Sequence, residues 1–152
     1  MADQVTRRVV TGLAEDGRST IIIDGPVPQP NPVANLIWRT AAVPADNSGS
    51  EDMGGAFDMA MLHDGGTNFI YTELPPGLEE GALMHATDTI DYLVVLSGEV
   101  TLVLETEEVV LRAGDFIVDR GVNHGWRNDG EEPAVYVSVT IPAYPVGKGR
   151  TV

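Results

Sequence analysis

The sequence predicts an all-β domain of short antiparallel strands, and three observations carry that prediction. Short apolar or alternating runs recur from residue 57 onward, at 57–62, 68–74, 90–97, 99–105, 108–111, 115–119 and 134–141. Turn formers separate them: Gly65-Gly66, Pro75-Pro-Gly77, Ser97-Gly98, Ala113-Gly114 and Asn128-Asp-Gly130. No window sustains an apolar stripe with a 3.6-residue period, so little helix is expected. Many short strands at close spacing with Gly and Pro turns describe a sandwich or a barrel.

Upstream of residue 57 the signals are sparser. Ser19-Thr-Ile-Ile-Ile23 is a β-branched run closed by Asp24-Gly25, and prolines at 26, 28, 30 and 32 predict an extended, unpaired stretch after it. Asn35-Leu-Ile-Trp-Arg-Thr40 reads as a second strand. Turn formers fill residues 44–55, which predicts a long surface loop suited to a lid or a dimer arm. The tail 144–152, basic and glycine-bearing, is expected to be a loose terminus.

With 152 residues and 43% hydrophobic composition, the chain holds enough apolar side chains for one sizeable core, and no repeat or composition shift marks a second domain. Residues 1–152 are therefore read as a single domain, a barrel core at 56–142 flanked by the N-terminal strands and loop of 1–55. Nine Lys and Arg against 23 Asp and Glu give a formal net charge of −14, which disfavours nucleic acid and anionic membrane surfaces as partners. The chain has no cysteine, so disulfides, thiolate-bound zinc and a Cys nucleophile are excluded, and any metal must be held by His and carboxylates. Residues 1–10 hold no apolar run of signal-peptide length, and the longest apolar runs fall far short of the roughly 20 residues that cross a bilayer. A cytoplasmic protein is expected. Nucleophile-elbow, P-loop and dinucleotide-binding signatures are absent.

The three histidines are His63, His85 and His124. His63 stands alone and reads as an ordinary hydrogen-bonded residue. The other two sit in spaced patterns. His85-Ala-Thr87-Asp-Thr-Ile-Asp91, six more residues and Gly98 make the first; Gly114-Asp-Phe-Ile-Val-Asp-Arg-Gly121-Val-Asn-His124-Gly-Trp-Arg-Asn128 makes the second, with fifteen residues between Gly98 and Gly114. The two stretches resemble the first and second motifs of the cupin superfamily, and Pro75-Pro-Gly77 resembles the turn that commonly opens the first. Thr87 stands where that superfamily usually has a second His, Asp91 where it has Glu, and Asp119 where it has Pro. The first glycine of motif one is also not at the usual distance.

The resemblance implies an antiparallel double-stranded β-helix, or jelly-roll barrel, enclosing a small-molecule pocket. Period-two alternation puts residues 85, 87, 89 and 91 on one face if the stretch is extended. The resemblance brings His124 to the same lumen, which makes His85, Asp91 and His124 the candidate ligands of a divalent metal: Fe, Zn, Mn or Ni. Asp88 alternates to the opposite face. The competing expectation is a metal-free barrel that keeps the two histidines as polar pocket groups. Arg120 is the candidate to orient a substrate carboxylate, and Glu73 and Asp91 are the candidate acid–base groups. Thr87, Tyr71, Trp38 and Trp126 are the candidate pocket walls. The expected function is metal-assisted lyase, dehydratase or isomerase chemistry on a small oxygenated molecule. A two-His, one-carboxylate Fe(II) oxygenase and a non-catalytic ligand-binding barrel are the alternatives. The resemblance further implies a homodimer, with strands 19–23 and 35–40 available to cover sheet edges.

Overall fold

The computed structural model describes residues 6–78 and 83–152. Eleven strands are present among them: β1 (Arg7–Leu13), β2 (Ser19–Pro26), β3 (Ala34–Thr40), β4 (Gly55–Ala56), β5 (Thr67–Leu74), β6 (Thr89–Ser97), β7 (Glu99–Leu104), β8 (Glu108–Arg112), β9 (Phe116–Asp119), β10 (His124–Arg127) and β11 (Ala134–Pro142). They form a six-stranded sheet in the order β4-β3-β5-β11-β6-β9, a three-stranded sheet in the order β10-β7-β8, and a separate β1–β2 hairpin. Every pairing is antiparallel. The expected all-β architecture is what forms. No helix among the described residues is long and apolar enough to cross a membrane.

Four expectations need correction. The run at 19–23 does not close at Asp24-Gly25: β2 continues to Pro26, and residues 24, 25 and 26 pair with Val9, Arg8 and Arg7. Residues 57–62 are not a strand: Met59–His63 is a short 3-10 helix, started by Asp58, whose carboxylate accepts from the Ala60 N–H at 2.8 Å. A short apolar run fits either element, and an N-cap aspartate decides for the helix. The segment 7–13, for which the sequence predicts no element, pairs with β2 along its whole length. The tail is tied down: Thr151 exchanges bonds with Ala86, donating its N–H to the Ala86 carbonyl and accepting the Ala86 N–H on its hydroxyl, and Arg150 N–H donates to Asp88 Oδ1 at 2.8 Å. Asp88 thus faces the tail, in keeping with its expected outward alternation. The 44–55 loop is pinned from one side, because Arg8 forks onto Asp52 and also donates to the Ile37 carbonyl.

The register of the large sheet grades its inner face. One row across four strands is polar: Asn68, Thr140, Asp91 and Asp119 are successive cross-strand partners. The next row is Ile70, Ser138, Leu93 and Ile117, and beyond it Thr72, Tyr136 and Val95. Leu74, Leu93, Val95, Val100, Leu102, Leu111, Ala134 and Tyr136 close the core between the two sheets. Gly98 turns the chain from β6 into β7 with φ of 71°, where an added Cβ would stand 2.7 Å from the Pro133 carbonyl oxygen. Only glycine meets both demands.

Candidate functional site

Backbone pairing builds the site. His85 and His124 oppose each other in an isolated antiparallel bridge, each N–H donating to the other's carbonyl at 2.9 Å. Residues directly opposite in such a bridge send their side chains to the same face. The rings therefore meet, with centroids 4.5 Å apart and planes tilted by 53°. Gly121 allows the approach: its φ is 74°, and an added Cβ would stand 2.2 Å from the Thr87 carbonyl oxygen. Thr87 N–H in turn donates to the Gly121 carbonyl at 3.2 Å.

Both rings are anchored through the same nitrogen. Nδ1 of His85 lies 2.7 Å from the Leu83 carbonyl, and Nδ1 of His124 lies 2.8 Å from that of Val122. A carbonyl only accepts, so Nδ1 carries the hydrogen in each and Nε2 is the lone pair of the neutral ring. Asp119 adds a carboxylate beneath His124. Its Oδ1 accepts the Gly121 N–H at 2.9 Å, and its Oδ2 lies 3.0 Å from His124 Nδ1, both side chains being 3% exposed. Because that N–H is aimed at Val122, Oδ2 gains the charge contact and no directed hydrogen bond.

The surroundings lower His85 and raise His124 and Asp91. Burial lowers His85 below the usual imidazole value, and nearby His124 adds to the effect. Burial alone would lower His124 too, but the contact with Asp119, its charge, the Val122 carbonyl and Asp91 outweigh it and raise the ring. Burial pushes Asp91 up to about 6 against the pull of Thr89, and its Oδ1 is sealed from solvent without a hydrogen-bond partner.

These groups open into a cavity of about 290 Å³ inside the barrel. His85, Thr87, Asp91, His124 and Trp126 all line it, so five of the residues expected at the site converge. His124, Trp126 and Tyr136 continue as an aromatic wall, edge to face at 5.8 Å and then stacked at 5.1 Å. The other expected residues lie elsewhere. Arg120 is exposed, one residue past the end of β9, and Trp38 lies on β3 beyond a bulge, outside the lining. Tyr71 and Glu73 sit on the opposite face of β5 from the lining residues Ile70, Thr72 and Leu74. There the Tyr71 hydroxyl faces Glu73 at 3.5 Å. Strand β5 is buried on both faces over much of its length, so alternation separates its faces without telling which one meets the lumen.

Residues not singled out from the sequence complete the site: Asp119 under His124, and Thr72, Tyr136, Ser138 and Thr140 on the walls. The last three stand two apart on β11, a period-two signal that was legible. The metal expectation meets a donor shortfall. His85 and His124 present two nitrogens, but among the described residues no three His, Asp or Glu side chains gather as one ligand group. That is one fewer than a catalytic zinc or a two-His, one-carboxylate iron centre draws from the protein. The described donor set does not fit such a metal.

Comparison with known proteins agrees with the fold. Residues 70–140 match the family model of the cupin domain. Oryzines biosynthesis cluster protein J of Aspergillus oryzae is 31% identical over 154 residues, covering 91% of this chain and 84% of that protein. Phomopsin biosynthesis cluster protein C' of Diaporthe leptostromiformis is 44% identical over 84 residues, covering 54% of this chain. The chain spans only 43% of the length of that relative. The cupin-domain-containing oxidoreductase fogC of Aspergillus ruber is 29% identical over 131 residues, 80% of this chain and 63% of that one. A solved double-stranded β-helix protein of Klebsiella pneumoniae is 29% identical with a TM-score of 0.45, over 51% of this chain and 68% of its own. With its antiparallel barrel, its paired motif histidines and a relative matched over most of both lengths, this chain belongs to the cupin superfamily.

Proposed function

We propose that the chain is a small-molecule enzyme that moves a proton on a molecule held in the barrel, the chemistry of an isomerase, lyase or dehydratase. One observation carries the reading. Two imidazoles, each fixed through Nδ1, face a cavity lined also by a carboxylate whose pKa is about 6. A carboxylate raised toward neutrality and an imidazole raised above its usual value give one cavity a base and an acid that work near neutral pH. Asp91, mostly ionised near pH 7.5 yet more basic than a surface carboxylate, is the base. His124, raised by Asp119, is the acid. Asp91 takes a proton from a carbon or hydroxyl of the substrate, and His124 delivers one to a second atom of the same molecule. The product is an isomer, or, when a hydroxyl leaves, an alkene and water. His85, held neutral by burial, offers Nε2 as a hydrogen-bond acceptor that orients a substrate hydroxyl. Asp119 is a positioning residue.

A second reading, redox chemistry, has one observation in its favour: relatives such as fogC and virC are named cupin-domain-containing oxidoreductases. Proton transfer and redox are separable by experiment. Hydroxy and carbonyl compounds incubated in D2O should gain deuterium at an activated carbon, read by proton NMR. Asp91→Asn and His124→Gln should each slow that exchange by roughly 10²–10⁴-fold. Exchange unaffected by either change would remove the proton-transfer reading. Stoichiometric iron with substrate-dependent oxygen uptake would put redox in its place.

A further inference from the structure

The cavity carries a charge rule for its ligand. Its lining is mostly apolar, from Val33, Phe57, Met59 and Leu62 to Leu83 and Trp126, and its neutral polar atoms are the hydroxyls of Thr72, Thr87, Ser138, Thr140 and Tyr136. No lysine or arginine lines it among the described residues. The nine cationic side chains are all accounted for. Arg7, Arg8, Arg18, Arg39, Arg112 and Arg127 are engaged by Asp24, Asp52, Asp16, Asp64, Glu99 and Glu108 respectively. Arg120, Lys148 and Arg150 are exposed and away from the cavity. Residues 1–5 and 79–82, outside the description, contain no Lys or Arg in the sequence. The two imidazoles do not replace the missing cation, because Asp119 lies 3.0 Å from His124 and Asp91 shares the lining, so protonating one ring still leaves no net positive charge.

An anion entering this space would lose its water without meeting a counter-charge, so a carboxylate or phosphate is disfavoured. An uncharged molecule with an apolar body loses little on entry, and its oxygen finds the hydroxyl row and the imidazoles. The volume of about 290 Å³ lies at the small end of ligand cavities, which suits a body of one ring or a short branched chain. The geometry points to an uncharged substrate, a mainly apolar alcohol, phenol, aldehyde or ketone, with carboxylates and phosphate esters excluded. This inference rests on the reading of the cavity as a substrate site and narrows the class of substrate.

The chain's two tryptophans are Trp38 and Trp126, and only Trp126 lines the cavity, so Trp38→Phe leaves one reporter at the site. Titrating that variant with benzaldehyde, benzyl alcohol, benzoate and phenyl phosphate at pH 7.5, by fluorescence and calorimetry, reads the charge rule directly. The neutral pair should bind at least tenfold more tightly than the two anions. A second variant, Val33→Arg, places a cation at a lining position that is 37% exposed and should raise benzoate affinity about tenfold. Benzoate binding as tightly as benzaldehyde, benzoate indifferent to Val33→Arg, or no neutral probe perturbing Trp126 at millimolar concentration would each overturn the inference. Selective neutral binding without deuterium exchange would leave the charge rule standing and defeat only the proposed reaction.

Discussion

At the scale of single residues, the two histidines are chemically unlike although they face each other. His124 gains stability from its charged form, so that contribution is complete below the unfolded value of about 6.5 and is lost as pH rises through the higher folded value. His85 behaves oppositely: protonating it in place costs stability, and the cost grows as pH falls below about 6.5. In a proton NMR titration His124 should change above the ordinary midpoint and His85 below it. Asp119→Asn should lower the His124 midpoint while moving His85 far less, and a His124 midpoint that stayed high would remove Asp119 as its partner. Asp91 lends itself to a stability test. Ionising a carboxylate whose folded pKa is about 6 rather than 3.8 costs about 3 kcal/mol once the pH exceeds both. Asp91→Asn, which keeps the shape and removes the charge, should raise urea-unfolding stability by about 2–3 kcal/mol at pH 8. The gain should shrink to about half near pH 5, and an equal gain at both would place the cause in packing. His85, His124 and Asp91 were legible because their spacing resembles a known pair of motifs. Asp119 was not, because the resemblance leads one to expect proline there, and a carboxylate five residues before His124 has no meaning until the strand end and the Gly121 turn bring it underneath. Arg120 misled for a simpler reason: it lies one position beyond a strand whose last residue, Asp119, already faces inward.

At the scale of elements, the site depends on two chain segments lying closer than side chains ordinarily permit. Two isolated bridges, Leu78 with Asn128 and His85 with His124, join the 121–128 stretch to the residues facing it, and Gly121, against Thr87, is the point of tightest approach. Gly121→Ala meets both a positive φ and a backbone oxygen at 2.2 Å from its new Cβ. It should cost roughly 2–4 kcal/mol in thermal or urea unfolding and separate the two rings. A variant that folds with unchanged stability would show that the segments can part freely. Gly17, also at positive φ but with open space around it, is the control, and Gly17→Ala should cost less. The strands from β5 to β9 and β11 were readable to within a few residues, because turn glycines and prolines bracket short apolar runs. What resisted reading were elements without an apolar signature of their own. Strand β1 opens with two arginines and is held mainly by pairing with β2, and the tail is held by hydrogen bonds to residues 86 and 88. Such docking is decided by the partner surface, which local sequence does not contain.

At the scale of the molecule, the net charge of −14 opposes compaction while the ion pairs that act against it lie largely on the surface. Exposed pairs contribute little, and the long-range repulsion among the excess carboxylates acts against them. Salt acts on both, but a Debye length of about 4 Å near 0.5 M removes repulsion across the surface more completely than attraction between atoms in contact. Raising NaCl from about 20 mM to 0.5 M should therefore raise the melting temperature by a few degrees. The pH profile follows from groups of opposite sense. Asp24, Asp52 and Glu108 are lowered first by their hydrogen bonds to arginines, so their contribution is present above the ordinary carboxylate range and is lost only as pH falls below about 4. Asp91 works the other way, its cost appearing as pH rises from about 4 to 6. Relief of overall repulsion adds to the gain on acidification. Stability should therefore peak near pH 5 instead of near neutrality, and Asp91→Asn should move the peak upward. Differential scanning calorimetry from pH 4.8 to 8.5, on protein treated with chelator, reads this profile. A peak at pH 7 or above in the wild type would mean that the surface ion pairs, and not the buried carboxylate and the excess charge, govern the balance.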